Sequence, residues 1–159
     1  MKFTAIPKWI IYTYVTIAAL GLIDATYLTI NHYRNTVPPC FIGSCEQVLT
    51  SSYAAILGIP VAVFGVAYYL FILVCLVVYI ESKAMPNAMQ PHPHESRKNK
   101  IMTAILVATV IGFLMSLYFF GIQALVIHDF CQYCLGSALF STLMFVMSVG
   151  VWGKLRVRL

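Results

Sequence analysis

Four long apolar runs dominate the chain, at about 9–33, 59–80, 101–127 and 131–152, and polar residues gather at the ends and in two connections, 34–58 and 81–100. Each run reaches or exceeds the ~20 residues that an α-helix needs to cross a ~30 Å hydrocarbon layer. The pattern predicts an all-α membrane protein, a four-transmembrane-helix bundle forming one domain over 1–159. Trp9, Tyr12 and Tyr14 near one end of the first run, and Tyr27 and Tyr33 near the other, suit the two interfacial belts where aromatic rings collect. Ala104, Ala108, Gly112 and Ser116 recur at four-residue spacing in the third run, a small-residue stripe that lets helix backbones approach in lipid. Only a few residues around Ile127–Asp129 separate the third and fourth runs, so those helices are predicted to be antiparallel neighbours.

Composition points to the same solvent. Hydrophobic residues make up 61% of the chain and charged ones 9%, against roughly a quarter charged in a soluble domain. Of 10 positive residues, only Arg34 falls in the first connection; Lys2, Lys8, Lys83, Arg97, Lys98, Lys100, Lys154, Arg156 and Arg158 fall on the other side of the bundle. The positive-inside rule makes that side cytoplasmic, with both termini inside, 34–58 an outer loop and 81–100 a cytoplasmic linker. The net charge of +5 is then a topology signal, and nucleic acid is not an expected partner. The basic start resembles a signal peptide, but its apolar run overshoots the usual 7–15 residues, so cleavage is not expected. The linker, broken by Pro86, Pro91 and Pro93, reads as flexible, and His92 and His94 within such a tract are assigned no function.

Asp24, with Thr26 and Thr29 nearby, is the exception inside the first run. A carboxyl at membrane depth is costly and faces the bundle interior or water. It is either a proton-handling group for a redox reaction or a neutral, hydrogen-bonded or interfacial side chain. In the outer loop Val37-Pro38-Pro39 precludes helix, and Gly43-Ser44 can turn the chain so that the sulfurs of Cys40 and Cys45 meet. Apolar positions from Glu46 to Leu57 predict a short amphipathic helix on the membrane surface, carrying Ser51 and Ser52. Gly58-Ile59-Pro60 then turns the chain into the second run, with Pro60 suited to a first helical turn. Cys75 reads as a small buried hydrophobe.

Four of the five cysteines form two close pairs, Cys40–Cys45 and Cys131-x-x-Cys134, and the topology puts both on the non-cytoplasmic side, where disulfides persist. Asp129 is the predicted N-cap of the helix carrying the second pair, and a thiolate at a first helical turn is stabilised by the peptide dipoles. Three readings compete. Static disulfides gain little from closing so small a loop. A four-cysteine zinc site needs a closed tetrahedral cage with supporting groups, and none is evident, so no metal is expected. A relay lets one pair reduce the other by thiol–disulfide exchange, the exposed loop pair meeting a soluble protein and the membrane-edge pair a lipid-soluble acceptor, for which a quinone is the obvious chemistry. A non-enzymatic membrane scaffold and a reductase running toward thiols share this architecture.

The ordered motifs Cys40-x4-Cys45-Glu-Gln-Val-Leu-Thr-Ser51-Ser-Tyr53, Ile56-Leu57-Gly58-Ile59-Pro60 with Gly65, and Cys131-x-x-Cys134 resemble the vitamin K epoxide reductase family in its bacterial branch, over nearly the whole chain. Their order differs from that of the DsbB family, whose Cys-x-x-Cys comes first. The resemblance implies that Cys40 exchanges with a soluble DsbA-like thioredoxin-fold partner, that Cys45 and Cys131 exchange with each other, and that Cys134 lies against a quinone, ubiquinone or menaquinone, and reduces it. Ser51 matches the family's loop serine. Many bacterial relatives carry a fused thioredoxin-like domain; the chain here ends at Leu159, so a separate partner is expected. The animal enzymes hold the vitamin's oxygens with an Asn and a Tyr whose positions correspond to about Val61 and to Ala138, which favours a plain quinone over an epoxide. The expected setting is the bacterial inner membrane with the active site on the periplasmic side. Vitamin K epoxide or quinone reduction running for quinol production is the alternative.

Overall fold

The computed structural model describes residues 7–84 and 94–156. Four helices, α1 (Lys8–Tyr33), α3 (Val61–Ala84), α4 (His94–Ile122) and α5 (Gln132–Arg156), are long and apolar enough to cross a membrane, and the chain is a multi-pass helical bundle. α1 packs against α3 and α5, and α4 packs against the same two, so the four form a ring in which every neighbour is antiparallel. Its core comprises Tyr14, Ala18, Ala25, Tyr69, Ile72, Leu76, Ile105 and Met144. Leu20, Ile23, Leu70, Val74, Leu114 and Val146 face outward, as lipid-facing side chains do.

Lipid tails are as apolar as leucine, so close packing and interhelical hydrogen bonds must hold such helices together. Gly21 lets the Tyr69 ring lie directly on the α1 backbone, and Gly112, from the predicted small-residue stripe, does the same for Tyr68. At the end away from the first loop, the Tyr14 hydroxyl donates to the Met144 carbonyl at 2.6 Å and bonds Ser148, which also accepts from Thr109 at 3.1 Å. One hydroxyl network thereby joins α1, α4 and α5. Phe113 and Phe145 stack at 4.6 Å between α4 and α5.

Four local expectations differ from the structure. The helix expected over Glu46–Leu57 is a single short turn, α2 (Cys45–Leu49). Beyond it Thr50 and Ser51 turn their hydroxyls onto the carbonyls of Glu46 and Val48, at 2.7 and 2.8 Å, the competition with the backbone that ends helices. The chain then makes a small hairpin, β1 (Ala55–Ile56) against β2 (Ile59–Pro60). Its two-residue turn has both Leu57 (φ 52°) and Gly58 (φ 81°) in the left-handed region, the geometry that matches strand twist. Pro60 therefore precedes α3 instead of opening it, and Val61, its first residue, donates its N–H to the Ala54 carbonyl at 2.9 Å. The linker also narrows: residues 81–84 and 94–100 are helical, with His94 the first residue of α4. Pro86, Pro91, His92 and Pro93 lie outside the described residues, as do Lys2 and Arg158.

α5 begins at Gln132, and the Cys131 carbonyl accepts the first intrahelical bond, from Leu135 at 3.0 Å. Cys131, and not Asp129, thus occupies the capping position. The reason lies in the preceding turn. α4 ends in one wide turn over Gln123–Ile127, followed by His128 at φ 60°, which carries the chain past Asp129 before the new helix can start. Wide turns of this kind recur at functional sites.

Candidate active site at the loop end of the bundle

Cys45, Val48 and Cys131 form a small buried cluster, with Cys40, Leu49, Ile127, Tyr133 and Cys134 packed around it. All four paired cysteines therefore meet in one place. Cys40 and Cys45 are joined by a disulfide with Cα atoms 5.8 Å apart, while Cys131 and Cys134 are free thiols. The Cys131 sulfur lies 3.3 Å from that of Cys45. Cys45 and Cys131 are sealed from solvent at 1% and 0% exposure, whereas Cys40 is half-buried beside the outward-facing Phe41 and Ile42. Cys75, the fifth cysteine, packs against the bundle core away from this cluster.

Several contacts hold the loop over the helix head. Gly43 pairs with Cys131 as an isolated antiparallel bridge. The two residues between the cysteines of the Cys-x-x-Cys grip the chain on both sides of Cys40. Gln132 accepts from the Phe41 N–H at 3.1 Å and donates to the Pro39 carbonyl at 3.3 Å, which also accepts from the Tyr133 hydroxyl at 3.0 Å. From below, the buried Gln123 side chain accepts the Cys131 N–H at 2.9 Å. Gln123, Gln132 and Tyr133 were not singled out from sequence. Gln123 did leave a signal, a lone amide inside an apolar run, since such a group at membrane depth needs a partner.

The environment of Cys131 favours its thiolate. The Cys134 thiol donates to it, and the N–H groups of Cys134 and Tyr133, the third and second residues of α5, add their own bonds against the opposing effect of burial, bringing the pKa down to about 7 from the ordinary 9.0. Cys131 thus caps the helix with sulfur where serine or aspartate would use oxygen. The rate of Cys45–Cys131 exchange, which needs the Cys131 thiolate but no access from solvent, is therefore expected to rise with pH through a midpoint at about 7. Replacing Cys134 with alanine, which has no proton to donate to the sulfur, should move that midpoint upward; an unchanged midpoint would remove Cys134 as the cause.

Ser51 ties off α2 through the Val48 carbonyl. Val61 and Ala138 are half-buried, at the start of α3 and one turn beyond Cys134. Asp24 is half-buried on α1, and its Oδ2 is enclosed with no hydrogen-bond partner.

A helical bundle embedded in lipid, with a disulfide and a dithiol touching at one rim, is the framework of a membrane thiol oxidoreductase. The sequence matches the Vitamin K epoxide reductase family over residues 12–149, and the chain belongs to that family. Its members are oxidoreductases that use a quinone or vitamin K as electron partner. A search of curated proteins finds no match.

Proposed function

We propose that this protein oxidises the dithiol of a soluble, thioredoxin-fold DsbA-like protein and passes the electrons to a membrane quinone, driving disulfide-bond formation. The proposed setting is the bacterial inner membrane, with both termini cytoplasmic and the cysteines on the periplasmic side. One observation carries the reading: the 3.3 Å approach of Cys131 to Cys45, with a disulfide on one side and a dithiol on the other. That is a near-attack separation for sulfur exchange.

The steps follow from access. Partner thiolate attacks Cys40, the half-buried member, beside the apolar Phe41 and Ile42 that a protein surface can cover. Cys45, released, attacks Cys131 of an oxidised Cys131–Cys134 pair and frees Cys134. The partner's second thiolate then attacks the partner–Cys40 disulfide, which releases oxidised partner and the Cys40 thiolate; Cys40 attacks Cys45 of the Cys45–Cys131 bridge and expels the Cys131 thiolate, leaving the arrangement seen here. Cys134 and Cys131 return to the disulfide by giving two electrons to quinone. Next to Cys134 in the chain, the ring of Tyr133 meets that of Tyr27 at 5.6 Å, an aromatic pair between α5 and α1 that a flat quinone ring can lie against.

The test is reconstitution with a reduced DsbA-like protein and either ubiquinone or menaquinone. Partner oxidation should match quinol formation one for one, and a partner whose resolving cysteine is replaced by serine should open the Cys40–Cys45 disulfide and accumulate as a mixed disulfide on Cys40. Partner oxidation that proceeds equally well without quinone would refute the proposal.

A further inference from the structure

The reaction proposed above leaves one buried group without a role. Asp24 sits in the loop-side half of the membrane-spanning part of α1, yet its Oδ2 is enclosed and accepts no hydrogen bond among the described residues. A carboxyl kept at such depth without a partner is expensive, and its retention needs a reason.

Two cross-helix contacts fix its level. One turn toward the linker end, the Tyr69 ring lies on Gly21 and its hydroxyl bonds Ser137 at 2.9 Å. One turn toward the loop end, Tyr27 meets Tyr133. α1 and α5 run in opposite directions, so moving about 4.5 Å outward from Gly21 reaches Asp24, and the same step outward from Ser137 reaches Cys134. The carboxyl and the Cys134 thiol therefore share one layer of the bundle. The titratable groups within electrostatic reach of Asp24 are Tyr69 on α3 and Cys131 and Cys134 at the head of α5.

We propose that Asp24 carries the proton leaving Cys134 to the oxygen of the quinone as the Cys131–Cys134 disulfide forms. This rests on the quinone-linked reading above and names a group within it. Forming the sulfur–sulfur bond releases two electrons, which reduce the quinone to quinol and require two protons. Cys131 enters as thiolate, so Cys134 supplies one proton and the outer water the other. The Asp24 carboxylate takes the Cys134 proton, generating the second thiolate, and returns it to the quinol oxygen on its own side. The carboxylate ends the cycle ionised, as it began.

Single-turnover kinetics separate this role from a structural one. Protein with a pre-reduced Cys131–Cys134 pair is mixed with ubiquinone or menaquinone across a pH series, and Cys45–Cys131 exchange is timed separately. In Asp24→Asn, quinone reduction should slow about a hundredfold, the low end of what positioned acid–base groups contribute, and lose one ionisation from its pH profile. Exchange should be unchanged, and Asp24→Glu should recover most of the rate. Asp24→Ser serves in the same way if the asparagine variant does not fold. A wild-type rate and pH profile in a non-ionisable variant overturns the proposal, as does equal slowing of both steps. Failure of the wild-type protein itself to reduce any quinone instead overturns the underlying function, and the role of Asp24 with it.

Discussion

Replacing Cys134 with alanine is expected to reduce quinone-linked turnover by about 10³-fold or more, the scale seen when an enzyme loses a reacting group. The protein should still enter the first exchange. Cys131 and Cys45 have their sulfurs 3.3 Å apart, and that contact does not involve Cys134. With no Cys134 to resolve it, a Cys45–Cys131 bridge forms and reverts only through Cys40, so alkylating Cys40 should lock it in place. Peptide mapping of the alkylated variant should recover the 45–131 cross-link in high yield. Persistence of more than about a tenth of wild-type turnover would show that another sulfur faces the acceptor. The pH response should change in the same variant: without the Cys134 thiol as donor, Cys131 loses the largest contribution to its lowered pKa, and exchange at pH 7 slows as the thiolate fraction falls. Sign and cause are thus testable together, since raising the pH should restore the exchange but not the turnover.

Much of this architecture was legible in the chain because the membrane imposes coarse rules. Runs of twenty or more apolar residues have one structural solution in lipid, and a two-residue helical offset leaves that conclusion intact. α1 begins at Lys8 and α5 at Gln132, each one residue from the expected start. The cysteine spacing and the side count were also enough to place both pairs at one end. What the chain concealed was local and depended on tertiary contact. The hairpin turn is built on Leu57-Gly58, and leucine at a left-handed position, 98% exposed, gives none of the usual Asn-Gly signal. An apolar spacing that fits an amphipathic helix fits a helix turn followed by a hairpin equally well over so short a span. Likewise Asp129 looked like the helix cap because the wide turn at Gln123–Ile127 has no sequence signature. That turn directs a glutamine amide onto the Cys131 N–H, and the cap is the reacting sulfur itself.

The docking of the loop depends on a position with no side chain at all, and Gly43→Ala should show it. Gly43 has φ 75°, where a residue with a Cβ costs about 1–2 kcal/mol, and a Cβ there would run deep into the carbonyl oxygen of Phe130. That oxygen is backbone, and it cannot withdraw easily: the next residue, Cys131, is pinned from below by Gln123 at 2.9 Å. The loop must yield instead, opening the Gly43–Cys131 bridge and carrying Cys45 away from Cys131. A displacement of about 1 Å at a reacting pair costs about 10²-fold in rate. Gly43→Ala should therefore slow Cys45–Cys131 exchange by that order. Quinone reduction by a pre-reduced Cys131–Cys134 pair should remain near wild type, because none of its groups lies on the loop. Gly58→Ala is the matched control, with a similar φ of 81° but nothing within 4 Å of an added Cβ. It bears the backbone strain without the collision, so it should lower stability slightly and leave the exchange rate alone. Equal slowing in both variants would mean that loop strain, and not the contact between Gly43 and Phe130, governs how the two cysteine pairs meet.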